Sequence, residues 1–96
     1  MFCNSFYASK IMIFNELYNL CRKINVKYDK VLDLMLKNGW INEMHTKVPG
    51  TDKMLAYGGM CFPKDTKALR LFMEKMGSSS KILSSVISEW EKIRGD

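Results

Sequence analysis

The chain has 96 residues, which is enough for one small domain and too few for a large core. Apolar residues make up 47% of the chain and charged residues 26%, a composition that predicts a folded globular protein rather than a disordered one. The net charge of +5 comes from basic residues spread along the chain, so it predicts attraction for a phosphate-bearing ligand and no dedicated nucleic-acid surface.

The first predicted element is one long helix from Phe2 to about Ile24. Its apolar residues recur at spacings of three and four, which places them on one helical face. They are Phe6, Ile13, Phe14, Leu17, Leu20, Cys21 and Ile24. The pattern leaves open whether Phe14, Leu17 and Leu20 pack inside the chain or in the seam of a dimer.

A second helix is predicted with Asp29 as its N-cap and with its end at Asn38–Gly39. Its inward residues are Val31, Leu32, Met35 and Leu36. A loop follows from Ile41 to Met60, and a loop of about twenty residues in a compact domain is more often functional than filler. Its glycines let the backbone approach a ligand closely.

The last two predicted elements are also helices. Pro63 fits the first turn of a third helix, which ends at Gly77 and carries an apolar side of Leu69, Phe72, Met73 and Met76. Ser78–Ser80 provide a break and an N-cap before a fourth helix from Lys81 to Arg94. The apolar stripe of that helix is Ile82, Leu83, Val86, Ile87, Trp90 and Ile93. No stretch has the alternation of a strand, so the predicted fold class is all-α.

The sequence also bears on location and on metal binding. No window approaches about 18 apolar residues and the N-terminus lacks the pattern of a secretory signal, which predicts a cytoplasmic protein without a membrane partner. Three widely spaced cysteines predict neither a disulfide framework nor a zinc site, and we expect Cys3 and Cys21 in the core. His45, the only histidine, lacks partners at ligand spacing, so we expect a loop residue near a substrate and no metal.

The third cysteine stands where a thiol can be reactive. Cys61 falls at or beside the predicted start of the third helix, where free backbone N–H groups and the positive end of the dipole favour the thiolate. Asp65 follows one turn later, so both side chains can face the same ligand, and Lys64 adds a cation. These residues make Cys61 a candidate nucleophile, and a purely structural role remains the alternative.

Three stretches resemble one enzyme family. The run YGGMCFPKDTKAL, Tyr57 to Leu69, resembles the active-site motif of the UDP-glucose/GDP-mannose dehydrogenase family, and MHTKVPG, Met44 to Gly50, resembles the substrate loop of one branch of it. The run NSFYASKIMIFNELYNLC, Asn4 to Cys21, is similar to the long central helix of the family. The resemblance implies the helical central domain, which dimerises. Residues 1–96 would form that domain alone, without the Rossmann domain that holds NAD or the C-terminal nucleotide domain.

The resemblance also implies a reaction. In this family the C6 alcohol of the sugar becomes an aldehyde, a cysteine adds to it as a thiohemiacetal, and hydride loss to NAD leaves a thioester that water hydrolyses. The matching residues would be Cys61 as nucleophile, Asp65 for water, and Asn4 for the reacting oxygens. The other implied contacts are Gly50, Tyr57, Gly58 and Gly59 for the substrate and Lys64 for the cofactor.

Some positions depart from the family pattern. A catalytic lysine four positions before Asn4 would fall ahead of Met1, Trp40 and Trp90 replace an arginine and an asparagine, and Met60 replaces a small residue. We therefore expect the central domain of an NAD-dependent enzyme that oxidises UDP-glucose to UDP-glucuronate, inactive alone. It would act as a homodimer or with a separately encoded Rossmann domain. The alternative is a non-catalytic helical interaction protein derived from the family.

Overall fold

The computed structural model describes residues 1–95, and Asp96, the last residue of the predicted domain, lies outside them. Four helices follow in chain order: α1 (Phe2–Lys23), α2 (Tyr28–Leu36), α3 (Cys61–Lys75) and α4 (Lys81–Arg94). Helix α1 packs against the other three, and α3 packs against α4. Because residues 1–95 contain no strand, the predicted all-α class is confirmed. Within that range no helix combines the length and the apolar character needed to cross a membrane.

The predicted helix ends are close to the observed ones. Helix α4 has the predicted bounds, and Pro63 lies in the first turn of α3. Helix α2 differs, because its N-cap is Lys27 and Asp29 lies inside the first turn. The earlier start has a packing cause: Tyr28, the first helical residue, is buried and donates a hydrogen bond to the Thr46 carbonyl.

The buried residues form three clusters. One joins α1 to α2 through Phe14, Cys21, Tyr28 and Leu32. Another joins α3 to α4 through Leu69, Leu83 and Ile87. The third joins α1 to the long loop through Ala8, Met12, Ala56 and Tyr57. The loop therefore contributes to the core near its C-terminal end, four residues before Cys61.

The predicted apolar face of α1 is buried for only part of its length. Cys21 is buried as predicted and Phe14 packs inside the chain, but Phe6, Ile13 and Leu20 are 66%, 59% and 54% exposed. Ile24, just beyond the helix, is exposed as well. The side of α1 that meets the loop, α3 and α4 carries Ser5, Ala8, Met12 and Asn15 instead. Because Ser5, Ala8 and Asn15 are small or polar, the spacing of large apolar residues indicated the other side of the helix. We call Phe6, Ile13 and Leu20 the α1 outer stripe.

Several other residues on the predicted apolar sides of α3 and α4 are exposed, namely Phe72, Met76, Ile82 and Ile93. The first three, with Phe2 and Phe6, line an open apolar groove of about 730 Å³ where α1 begins, α3 ends and α4 begins. Cys3 is exposed too, contrary to its predicted place in the core. Ser5 faces inward at this end of α1, and a position two residues earlier points to the opposite side of a helix.

Candidate active site

The end of the loop is fixed by side chains from two helices. Arg94, in the last turn of α4, donates from Nε to the Leu55 carbonyl at 2.8 Å and from Nη2 to the Ala56 carbonyl at 2.7 Å. From the opposite side, Asn15 of α1 accepts the Ala56 N–H on Oδ1 at 2.7 Å. Because Asn15 also donates to the Ile11 carbonyl of its own helix, its amide is held in one orientation.

Trp90 continues this arrangement one residue further. Its Nε1 donates to the Tyr57 carbonyl at 2.7 Å, and its ring stacks on the Tyr57 ring with centroids 5.4 Å apart. The Lys67 ammonium of α3 lies 5.2 Å from the centroid of the same indole. Helix α4 thus contacts both the end of the loop and α3, the helix that begins with Cys61.

The first part of the loop is anchored separately. The buried Tyr28 hydroxyl donates to the carbonyl of Thr46, and the Thr46 hydroxyl donates to the Glu43 carbonyl at 2.6 Å. Burial, with smaller contributions from the charges of Asp29 and Cys21, raises the pKa of Tyr28 to about 12. Tyr28 therefore stays protonated and remains a donor at physiological pH.

A cleft of about 680 Å³ opens between α1 and the loop, a volume within the range of small-molecule sites. His45 lies in its wall, with its ring centroid 5.1 Å from that of Tyr7 and 5.5 Å from that of Phe62. Desolvation, and then the charge of Lys10, lowers the pKa of His45 below its usual value. A neutral imidazole therefore faces the cleft. Among residues 1–95 no three His, Cys, Asp or Glu side chains are grouped to hold a metal ion.

The predicted reactive residues come together from two helices. Asn4 of α1 donates from Nδ2 to Asp65 Oδ2 of α3 at 2.9 Å, although the two lie 61 positions apart. Cys61 is exposed as the first residue of α3, after Met60 as the N-cap. A spacing of four places Cys61 one turn before Asp65 on the same side of α3. Lys64 is exposed in the same turn.

The predicted substrate contacts lie in the cleft wall, which includes Gly50, Tyr57, Gly58 and Gly59. The Tyr57 side chain is only 1% exposed, so it offers little surface to a ligand. Cys61, Asn4, Asp65 and Lys64 do not line this cleft, although Gly59 and Phe62, on either side of Cys61 in the chain, do.

The paired glycines are required for two different reasons. A Cβ on Gly58 would lie 2.4 Å from Asp52 Oδ2 and 2.6 Å from Arg94 Nη1, so the side chains around it leave no room. Gly59 has a φ of +75°, which other residues adopt only with strain, and nothing lies within 4 Å of its Cβ position. Of these two glycines, Gly59 is the one with the open space expected of a residue that a ligand approaches.

Three residues that shape the cleft were missed by sequence reasoning: Asn15, Asp52 and Arg94. Arg94 pairs with Asp52 at 2.8 Å, and the N–H of Met54, followed by Arg94, lowers the pKa of Asp52. A polar Asn15 among apolar helix positions was a usable signal of a buried hydrogen bond. Arg94 gave none, because a cation in the last turn of a helix is ordinary.

The chain is similar to proteins of one enzyme family. The central-domain model of the UDP-glucose/GDP-mannose dehydrogenase family matches residues 1–89. UDP-glucose 6-dehydrogenase TuaD of Bacillus subtilis (strain 168) is 33% identical over 91 residues, which are 95% of this chain and 19% of that protein. UDP-glucose 6-dehydrogenase of Rickettsia bellii (strain RML369-C) is 37% identical over 89 residues, covering 88% of this chain and 18% of that protein.

A GDP-mannose 6-dehydrogenase also matches, from Pseudomonas savastanoi pv. phaseolicola, at 28% identity over 86 residues that cover 88% of this chain and 19% of that protein. No solved structure matches the chain. The chain spans less than a fifth of the length of each of these three relatives. With residues 1–89 matched by the central domain, the chain belongs to the UDP-glucose/GDP-mannose dehydrogenase family.

Proposed function

We propose that this chain is the central domain of an NAD-dependent UDP-glucose 6-dehydrogenase, which carries out the four-electron oxidation of UDP-glucose to UDP-glucuronate. The observation that carries the proposal is the 2.9 Å hydrogen bond between Asn4 and Asp65, one helical turn from an exposed Cys61. Relatives named as UDP-glucose 6-dehydrogenases, at 33% and 37% identity, favour UDP-glucose over GDP-mannose, whose named relative is 28% identical.

In this proposal Cys61 is the nucleophile. Its thiolate sulfur adds to the C6 carbon of the aldehyde, a C–S bond forms, and the carbonyl π electrons move to the oxygen. Cys61 is the first residue of α3, at the end of the helix where the backbone N–H groups have no partner within the helix. The side chain is exposed, so a carbonyl carbon can reach it.

Asn4 and Asp65 support the chemistry at the oxygen atoms. Their hydrogen bond uses one hydrogen of the Asn4 amide and one oxygen of Asp65. Each side chain therefore keeps a second hydrogen-bonding position. We assign the free N–H of Asn4 to the reacting oxygen and the free carboxylate oxygen of Asp65 to the water that hydrolyses the thioester.

We assign the cleft to the rest of the substrate. Gly50, Tyr57, Gly58 and Gly59 lie in its wall, and the open space beside Gly59 allows a sugar to approach the backbone. The net charge of +5 attracts a doubly charged nucleoside diphosphate group.

The chain itself does not fit NAD. Residues 1–95 form helices without a strand, so they contain no βαβ unit of the kind that holds a dinucleotide. The hydride acceptor would be bound by a separate Rossmann domain, and we propose Lys64, exposed in the first turn of α3, as the residue that contacts it. The isolated chain is therefore expected to be inactive.

A second function, the non-catalytic interaction protein, is favoured by the α1 outer stripe. Phe6, Ile13 and Leu20 recur every seven residues and are all more than half exposed. Such a stripe suits the association of α1 with another helix, either in a homodimer or on a full-length enzyme. Light scattering of the purified chain tests this: a dimer is expected, and Ile13→Glu should make it a monomer.

Alkylation of Cys61 separates the two functions. We expect iodoacetamide to modify Cys61 near neutral pH faster than a small free thiol, and UDP-glucose to slow that modification. The exposed Cys3 is the internal control, because UDP-glucose should not protect it. A Cys61 rate equal to that of the free thiol, with no protection, would leave the interaction protein as the better account. Turnover of UDP-glucose with NAD by the purified chain alone would contradict the expected inactivity.

A further inference from the structure

Helix α4 lies outside the cleft wall, yet it binds three consecutive peptide groups that precede the nucleophile. The carbonyls of Leu55, Ala56 and Tyr57 accept hydrogen bonds from Arg94 and Trp90. No residue of α4 lines the cleft, whose walls come from α1, the loop and Phe62. These bonds can therefore affect the cleft only through the loop residues whose carbonyls they bind.

We propose that Arg94 and Trp90 are positioning residues for the nucleophile turn, defined as residues 58–61. This inference rests on the proposed role of Cys61. Trp90 Nε1 binds the Tyr57 carbonyl at 2.7 Å. Three residues, 58–60, separate Tyr57 from Cys61. So few residues leave little freedom in where the turn lies relative to the cleft.

The guanidinium of Arg94 contacts three groups of the loop at once. The side chain is 11% exposed, and its fork reaches two carbonyls while Nη2 also pairs with Asp52 at 2.8 Å. A lysine at this position would keep the charge but could not match a planar fork. The tight packing of Gly58 against Arg94 and Asp52 extends the contact into the nucleophile turn itself.

Trp90 connects the turn to α3 from the other side. Its indole stacks on the Tyr57 ring and lies under the Lys67 ammonium, which is six residues after Cys61 on α3. The same side chain thus holds the residue before the turn and the helix after it. The geometry at both ends of residues 58–61 is set by α4.

The test compares alkylation rates of Cys61 and Cys3 by mass spectrometry across a pH series, in the full chain. The variants are Arg94→Lys, Arg94→Met and Trp90→Phe, and the matched control is Lys92→Met. Lys92 lies in the same turn as Arg94 and, within residues 1–95, its ion pair is with the half-exposed Glu89, so the control removes the same charge without touching the loop. Circular dichroism verifies that each variant is folded.

We expect Arg94→Lys and Arg94→Met to slow Cys61 relative to Cys3 by about two- to fivefold at every pH of the series, because the turn no longer presents Cys61 in one geometry. Trp90→Phe should do the same to a smaller extent, and Lys92→Met should leave the ratio of the two rates unchanged. Wild-type behaviour of Arg94→Lys, with a defect only in Arg94→Met, would show that Arg94 acts by charge and would overturn the proposal.

A second measurement keeps the two proposals apart. If wild-type Cys61 proves no faster than a free thiol, the proposed function fails, but hydrogen exchange at the amides of residues 58–61 still decides the positioning role. Faster exchange there in Arg94→Lys, with unchanged exchange in Lys92→Met, supports it. Equal exchange in wild type and in all three test variants contradicts it.

Discussion

Gly58→Ala tests whether the surroundings of Gly58 are as closely packed as the structure has them. The new Cβ would lie 2.4 Å from Asp52 Oδ2 and 2.6 Å from Arg94 Nη1, both far too close for carbon. Both groups end flexible side chains and can move, so the expected consequence is a lost hydrogen bond rather than a misfolded chain. The Arg94 side chain is 11% exposed, and its bonds to two carbonyls are the ones at risk.

The magnitude follows from two opposing effects. Losing one hydrogen bond from a charged donor costs about 1.5 to 3 kcal/mol. Replacing glycine by alanine lowers the entropy of the unfolded chain and stabilises the fold by about 0.4 to 1 kcal/mol. The free energy of unfolding of Gly58→Ala should therefore fall by about 1 to 2 kcal/mol, which lowers Tm by about 4 to 16 °C in a domain of this size.

Gly50→Ala is the matched control in the same loop. Its Cβ would meet only Asp52 Oδ1 at 3.8 Å, an ordinary contact, so only the unfolded-state gain of about 0.4 to 1 kcal/mol is expected. Urea unfolding followed by circular dichroism measures both variants. In an Arg94→Met background the penalty of Gly58→Ala should shrink, because Asp52 can then turn into solvent. A Gly58→Ala protein as stable as Gly50→Ala would refute the reasoning.

Three further predictions concern the contacts around the cleft. Asn4→Ala and Asp65→Ala, combined in a double-mutant cycle by urea unfolding, should show a coupling of about 0.5 to 1.5 kcal/mol, and additive effects would contradict the hydrogen bond. Tyr28→Phe should lose about 1 to 3 kcal/mol of stability, because the buried carbonyl of Thr46 loses its donor; an unchanged urea midpoint would argue against that bond. Folding lowers the pKa of His45, so as the pH falls the unfolded chain takes up a proton on His45 before the folded chain does. The folded state is therefore less stable as the pH falls from 6.5 to the folded pKa. The Tm of His45→Phe should therefore fall less than the wild-type Tm between about pH 7.5 and about pH 5.5. Equal falls would be evidence against a lowered pKa of His45.

The helix ends were predictable because their signals are local. Pro63 lies in the first turn of α3, Gly77 follows its end, and Ser80 precedes α4 at the predicted position. The orientation of α1 was not predictable from apolar spacing, because its buried side contains Ser5 and Asn15, and burial there depends on what the loop and the other helices supply. Hydrophobic period identifies a helix more reliably than it identifies the face that packs.

Some contacts of the candidate site could be predicted from the sequence, and others could not. Cys61 and Asp65 could be placed together from a spacing of four on one helix. The contact of Asn4 with Asp65 spans 61 positions, and only the family resemblance pointed to it. The bonds of Arg94 to the loop span 38 and 39 positions and have no local signature, so they could be found only from coordinates.

The bonds that fix the end of the loop are made by residues 33 to 41 positions away, on the first helix and the last. Bringing such distant segments together costs chain entropy, so we expect the cleft to form late in folding and to open early in partial unfolding. A molecule in which α4 has detached would keep the buried cluster between α1 and α2 and lose the cleft. Any compound that occupies the cleft therefore tightens the attachment of α4 without touching it, through mass action alone.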